Sequence, residues 1–287
     1  MTTTSKKQDP FFILGNPRSG TSLLRLMLNS HPEIVVPPEC GFLLWLSDKY
    51  AYQSSYDEHT YSNFVDDLFK TKKIETWSIQ KEKLLGKIKA AKPKDYTSMT
   101  SIVYSHYAME NEKKPRLHGD KNNYYINEID KIEKLFPQAK LIYIVRDGRD
   151  VAASYLKIKN SQISSQYKPT LPQSIENIAS DWSKSTLKAQ TMQKQPNTCV
   201  ILYEHLVRDP ERTLSTVCTH LNVDYSDNML QFYNNNDEPV DFLQWKAKTK
   251  HPVDTSSLGS YKKELSQKQI LSFEQHAHEA LKAFNYL

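Results

Sequence analysis

Arg18 stands inside Gly15-Asn16-Pro17-Arg18-Ser19-Gly20-Thr21-Ser22, a segment with the Gly-x-x-x-x-Gly spacing of a phosphate-binding loop and with Thr21 where that loop carries its lysine. The run before it, Phe11 to Leu14, reads as a short buried strand, and Leu23, Leu24, Leu26, Met27 and Leu28 after it read as a helix packed on a sheet. Strand, tight turn and helix together aim several backbone N–H groups and the positive end of a helix dipole at one point, which suits a phosphate or sulfate oxygen. The planar guanidinium of Arg18 suits two-pronged contact with a tetrahedral oxyanion. In nucleoside triphosphatases the missing lysine reaches the β- and γ-phosphates and the last Ser/Thr holds Mg²⁺, so its replacement argues against ordinary ATP or GTP hydrolysis. A ligand-free strand-to-helix turn would carry the same spacing.

A second unit of this kind follows. Leu141 to Val145 is a continuous apolar run of β type, and Val151 to Leu156 is helical in pattern, with Arg146-Asp147-Gly148-Arg149-Asp150 between them. Arg146 falls at the carboxyl end of its strand and Ser154 two helical turns on, where open α/β sheets bind ligands, so both are candidates for a second phosphate. The competing reading pairs Arg146 and Arg149 with Asp147 and Asp150 at the surface.

With both units in view, the chain resembles the sulfotransferases that use 3'-phosphoadenosine 5'-phosphosulfate (PAPS) as sulfuryl donor. Pro17 to Leu24 looks like that family's 5'-phosphosulfate loop and Val145 to Ser154 like its 3'-phosphate motif, in the same order and at a similar separation. The likeness extends through Gly119-Asp120-Lys121, Asp181-Trp182, Ile201 to Pro210 and Ser256 to Lys263. An arginine in the first loop is closer to protein-tyrosine, carbohydrate and bacterial sulfotransferases than to the cytosolic small-molecule enzymes. The resemblance implies a single α/β domain over residues 11–287, with a central parallel sheet flanked by helices in a P-loop NTPase-like arrangement. Strands alternating with helices along the chain point the same way.

The resemblance also implies roles. Arg18 with Ser19, Gly20, Thr21 and Ser22 would cradle the 5'-phosphosulfate, Arg146 and Ser154 the 3'-phosphate, and Tyr203 would meet the adenine region. Ser257, Gly259, Tyr261 and either Lys262 or Lys263 would form a closing loop that returns a cation to the 3'-phosphate. Lys121 is the expected cation at the bridging oxygen, although a lysine before two asparagines also fits a solvated loop. The histidine that small-molecule enzymes place two residues later is replaced by Asn123. Glu39, in Val36-Pro37-Pro38-Glu39-Cys40, falls where the protein-tyrosine enzymes carry a glutamate base, with His118 in reserve. Two prolines would hold its backbone stiffly, and partial burial would raise its pKa towards a useful value. Tyr203 and Trp182 also read as ordinary core residues.

The expected function is sulfuryl transfer from PAPS to a hydroxyl or amine acceptor by in-line displacement, leaving 3',5'-bisphosphoadenosine (PAP). The alternatives are a P-loop kinase or other phosphotransferase, which the missing lysine opposes, and a non-catalytic PAP-binding protein. The net charge of +5 over 287 residues is modest and no RNA-binding signature is present, so no nucleic-acid partner is expected. Residues 1–10 are polar and read as a disordered terminus, and no apolar stretch approaches membrane-spanning length, so a soluble, cytoplasmic protein is expected. Cys40, Cys199 and Cys218 are widely spaced and the histidines show no ligand pattern, so neither disulfides nor a catalytic metal is expected. Residues 43–112 and 157–180 are the expected acceptor-binding or lid regions, but neither they nor the 17 tyrosines and 10 phenylalanines identify the acceptor. A homodimer is compatible with the sequence, which does not fix the oligomeric state.

Overall fold

Five short strands build the sheet: β1 (Phe11–Leu14), β2 (Ile34–Val35), β3 (Leu117–Lys121), β4 (Leu141–Val145) and β5 (Thr198–Leu202), all apolar runs in large part except β3, Leu-His-Gly-Asp-Lys. In the computed structural model, which describes residues 9–287, they form one sheet in the order β2-β3-β1-β4-β5 with every pairing parallel. The expected terminal segment lies outside the described residues for positions 1–8. Asp9, just inside them, accepts a hydrogen bond from the Gln138 backbone N–H at 2.9 Å.

Alternation along each strand explains why the sheet is covered on both faces. Phe12, Leu14, Tyr143 and Val145 enter one apolar cluster, whereas Phe11, Ile13, Ile142 and Ile144 enter another on the opposite face. A parallel sheet needs such two-sided cover because its crossover connections lay helices on both faces. Each fully buried side chain of this size contributes roughly 1.5–3 kcal/mol. The central strand β1 lies between β3 and β4, so the crevice beyond its carboxyl end is where successive connections diverge to opposite sides.

Three helices start at that edge. The first, α1 (Thr21–Asn29), begins after Gly20, whose backbone is left-handed at φ 98°. A Cβ there would stand 2.4 Å from the Tyr203 ring, so conformation and close approach both require glycine. The helix Gly148–Lys159 follows β4 with Asp147 as its N-cap, and Tyr203–Arg208 follows β5. The fifth strand therefore ends one residue before Tyr203, which opens the next helix.

The long excursion between β2 and β3 is helical as its pattern suggests, with Glu58–Leu68 capped by Asp57 and Tyr96–Glu110 capped by Asp95. Its aromatic residues pack edge-on or tilted, as in Phe42 against Trp77 and Tyr104, so much of this region is core. The chain ends in two helices, Gln267–His276 and His278–Ala283, with a break at buried Ala277 that lets both lie on Ile175–Met192. Among the described residues no helix is long and apolar enough to cross a membrane.

Candidate active site

A cavity of about 1390 Å³ opens at the carboxyl edge of the sheet, and two groups of charged side chains meet in it. Arg18, Gly20, Thr21, Ser22, Arg146 and Ser154 line one half, and Glu39, Lys73, Lys121 and Lys246 line the other. Motifs more than 100 residues apart in sequence thus share one space.

In the first half, Arg18 is held in the left-handed region at φ 68° and its Nε donates to Ser154 Oγ at 3.0 Å. Arg146 donates through one terminal nitrogen to the Arg18 carbonyl at 3.0 Å and through the other to the Ser257 carbonyl at 2.8 Å. Its guanidinium lies 4.5 Å from the centre of the Tyr203 ring, whose hydroxyl hydrogen-bonds Ser257 Oγ at 2.8 Å. Burial and the neighbouring Arg146 bring the Arg18 guanidinium down to about 10, a direction that marks a site short of negative charge. Two buried polar atoms here, Ser19 Oγ and Arg146 Nε, have no hydrogen-bond partner. A cradle of backbone amides, two arginines and orphaned donors fits a ligand with more than one anionic group.

The other residues of the two motifs support this half. Thr21, in the place of the missing lysine, donates its hydroxyl to Asn123 Oδ1 at 3.2 Å. Trp182 is core: its indole N–H donates to the Arg146 carbonyl at 3.0 Å and its ring covers Gly148. Arg149 pairs with Asp147 at 2.8 Å and Glu274 at 2.6 Å, as the competing reading of the motif had it, but largely buried rather than at the surface. Asp150 has a task that its pattern did not reveal. Its carboxylate accepts the backbone N–H groups of Gly259 and Tyr261 at 2.9 and 3.0 Å and so ties the 257–261 turn to the helix Gly148–Lys159. Tyr261 packs under the Arg149 guanidinium, outside the cavity. Lys262 and Lys263, candidates for the returning cation, are exposed on Tyr261–Glu264 and do not line the cavity, although Ser260 and Glu264 at either end of that turn do.

The second half is a lattice of ion pairs. Glu39 accepts from Lys121 at 2.6 Å through Oε2 and from Lys73 at 2.5 Å through Oε1. Burial pushes the Glu39 carboxyl upward, but Lys121, Lys73 and Lys246 outweigh it and hold the group well below the usual carboxylate range. The expected rise in its pKa is therefore reversed: charge pairing wins over desolvation. Behind Lys121, the buried carboxyl of Asp120 is pushed up to about 7 by burial, although Tyr104 and Tyr125 both donate to its Oδ2 at 2.5 and 2.9 Å. Lys246 bonds Glu238 at 2.7 Å, and burial brings its ammonium down to about 8. Glu238 is in turn held by Arg25 of α1 at 3.1 Å, and Arg25 also takes Asp237 at 2.7 Å and the Val36 carbonyl at 2.9 Å. His118, the reserve base, is half-buried beside Tyr104 and does not line the cavity.

Lys73, Lys246, Glu238 and Arg25 were not singled out in the sequence. Arg25 alone left a signal, as a charge amid Leu24, Leu26, Met27 and Leu28 on a buried helix. Of the two regions expected to meet an acceptor, 43–112 supplies Lys72 and Lys73, and 157–180 supplies among others Ile158, Ile163, Tyr167 and Leu171. A third segment, 242–254, contributes as well, with Phe242, Trp245 and Lys246 on its helix Val240–Lys246. Among the described residues no group of three or more His, Cys, Asp or Glu is arranged to hold a metal ion.

Residues 10–227 match the sequence model of the sulfotransferase family. The chain belongs to that family. A putative protein-tyrosine sulfotransferase of Caenorhabditis briggsae is 24% identical over 262 residues, covering 87% of this chain and 79% of its own length. This chain spans only 53–56% of the length of other protein-tyrosine sulfotransferases, from zebrafish, chicken and Caenorhabditis elegans. Among solved structures, a sulfotransferase domain from the curacin biosynthetic pathway superposes with a TM-score of 0.61 at 22% identity, covering 94% of this chain and 98% of that one. A mouse sulfotransferase complexed with PAP superposes at 0.50 with 15% identity, covering 96% and 84%.

Proposed function

We propose that the protein transfers a sulfuryl group from PAPS to an acceptor hydroxyl. The observation that carries the reading is the joining of an anion cradle, Arg18 with Arg146 and Ser154, to a carboxylate–lysine pair, Glu39 with Lys121, across one cavity. Phosphate chemistry alone would account for the cradle; the carboxylate opposite it is what a hydroxyl acceptor needs.

In this reading the 19–22 amides and Arg18 hold the 5'-phosphosulfate, and Arg146 and Ser154 the 3'-phosphate. Tyr203, with Ser257, fixes the Arg146 side chain and so sets where that phosphate lies. Glu39 removes the proton from the acceptor O–H, the acceptor oxygen bonds to sulfur, and the bond from sulfur to the bridging oxygen breaks with its electron pair leaving on the 5'-phosphate. Lys121 and Arg18 stabilise the charge that gathers there. Positioning and fixed charge supply most of such a reaction's acceleration. Held well below the usual range, Glu39 is ionised throughout the physiological range, and it becomes a stronger proton acceptor once Lys121 turns from it to the donor.

The test is calorimetric titration with PAP and, without magnesium, with ADP and ATP. Selective binding of PAP, lost in Arg18→Ala and Arg146→Ala, is the expected result and opens a screen of hydroxyl acceptors with PAPS. Binding no better than that of ADP would refute the reading.

A further inference from the structure

The proposed reaction asks two things of Lys121 and Glu39 that their contact opposes. Lys121 has to turn to the departing phosphate, yet its ammonium is spent on Glu39 at 2.6 Å. Glu39 has to remain charged and aimed after Lys121 turns away, yet burial favours its protonated form.

Lys73 meets both demands. It holds the other carboxylate oxygen, so Lys121 can leave Oε2 while Glu39 stays paired through Oε1. The turn that carries Lys73 is fastened to the loop that carries Glu39: Trp77 donates its indole N–H to the Pro38 carbonyl at 2.8 Å, and Cys40 Sγ donates to the Lys72 carbonyl at 3.6 Å. Lys73 itself is held at φ 77°. The Phe242 ring lies under both Lys73 and Lys246, with the two ammonium groups 5.3 and 4.8 Å from its centre, and Lys246 is moored on Glu238. The charged and titratable groups around Glu39 are thus Lys121 and Asp120 on β3, Lys73 on its turn, Lys246 with Glu238 on the 238–246 segment, and the adjacent Cys40 thiol.

We propose that Lys73 is a positioning residue that frees Lys121 for the donor: Glu39 and the donor's 5'-phosphate compete for Lys121, and Lys73 keeps Glu39 paired and in place when the donor takes it. This rests on the donor and base roles proposed above. A general electrostatic role for Lys73 has a different signature, because removing one positive charge would cost an anionic ligand the same attraction whether or not position 39 is charged.

A double-mutant cycle separates the two. Wild type, Glu39→Gln, Lys73→Met, Lys73→Arg and Glu39→Gln/Lys73→Met are titrated with PAP by calorimetry, each after a thermal melt has shown a folded protein; Lys73→Gln replaces Lys73→Met if the latter does not fold. Glu39→Gln is expected to bind PAP at least about threefold tighter, because Lys121 is already free, and Lys73→Met at least about threefold weaker, because Glu39 then grips Lys121 alone. Lys73→Arg should stay near wild type, and the Lys73 penalty should vanish in the double variant. Equal Lys73 penalties in both backgrounds, or a Glu39→Gln protein that binds no tighter, overturn the role of Lys73 while leaving the donor reading intact. A wild-type protein that does not bind PAP overturns both.

Discussion

The two halves of the cavity are built on different principles. The Arg18–Arg146 half is anchored in backbone: Arg18 lies in a left-handed turn between β1 and α1, Arg146 directly follows β4, and the guanidinium hydrogen bonds go to carbonyls and a hydroxyl, with one carboxylate, Asp150, at 3.7 Å from Arg146. The charged groups of the Glu39–Lys121 half are held mainly by one another, with side chains from five separate segments forming one lattice of ion pairs. A fixed, charge-hungry half can wait for a polyanion without change, whereas a half in which cations and carboxylates are already paired must exchange partners to work.

That contrast can be broken at either end. The largest effect is expected from Glu39→Gln, which should lower turnover by about a hundredfold or more while PAP is still bound; PAP release from PAPS with a responsive acceptor, beside calorimetry, reads both. Near-normal turnover would remove Glu39 as the base. Next comes Arg146→Ala, expected to weaken PAP binding by about ten- to a hundredfold, since it removes a charge-assisted contact of roughly 1.5–3 kcal/mol and unties the Arg18 and Ser257 carbonyls. Retained affinity would show that the cradle does not bind the 3'-phosphate.

Asp120 sharpens the comparison from the stability side. Its folded-state value of about 7 lies above the ordinary 3.8, so the folded protein binds the extra proton between those values. Its contribution to stability is full below about pH 4 and lost as pH rises towards 7, by up to about 4 kcal/mol. Asp120→Asn keeps an oxygen for both tyrosine hydroxyls and should flatten this part of the stability profile, measured by denaturant unfolding at pH 4.5 and 7.5. An unchanged slope would show that Asp120 ionises without cost. The smallest effect belongs to Lys262→Ala and Lys263→Ala, each expected to change PAP affinity by less than about threefold, as exposed charges do. A tenfold loss in either would mean that the turn closes inward on the ligand.

The central strands β1 and β4 and the first half were legible because their information is local, whereas β3, Leu-His-Gly-Asp-Lys, carries no strand pattern. The apolar run Phe11 to Leu14, the two glycines around Arg18 and the run from Leu141 into Arg146 each dictate a strand, a turn and a helix start from consecutive residues. The second half was legible only in part. Lys121 and Glu39 were found through family likeness, whereas Lys73 and Lys246 stand in lysine-rich stretches where nothing separates a buried cation from a solvated one. The matched family region ends at residue 227, before Lys246 and Ser257. The direction of the Glu39 shift was misjudged for the same reason, since three lysines remote in sequence decide it.

The link between Arg146 and the Arg18 carbonyl works as a caliper. With one terminal nitrogen on that carbonyl and Arg18 Nε on Ser154, the two jaws are joined to each other rather than to independent walls, so the span between them does not follow the ligand. In the proposed reading, a nucleotide with a phosphate at only one end of its ribose would close on one jaw and leave the guanidinium of the other without its phosphate. If the two jaws hold the two phosphates as proposed, the selection of a doubly phosphorylated nucleoside is a matter of length before it is a matter of charge.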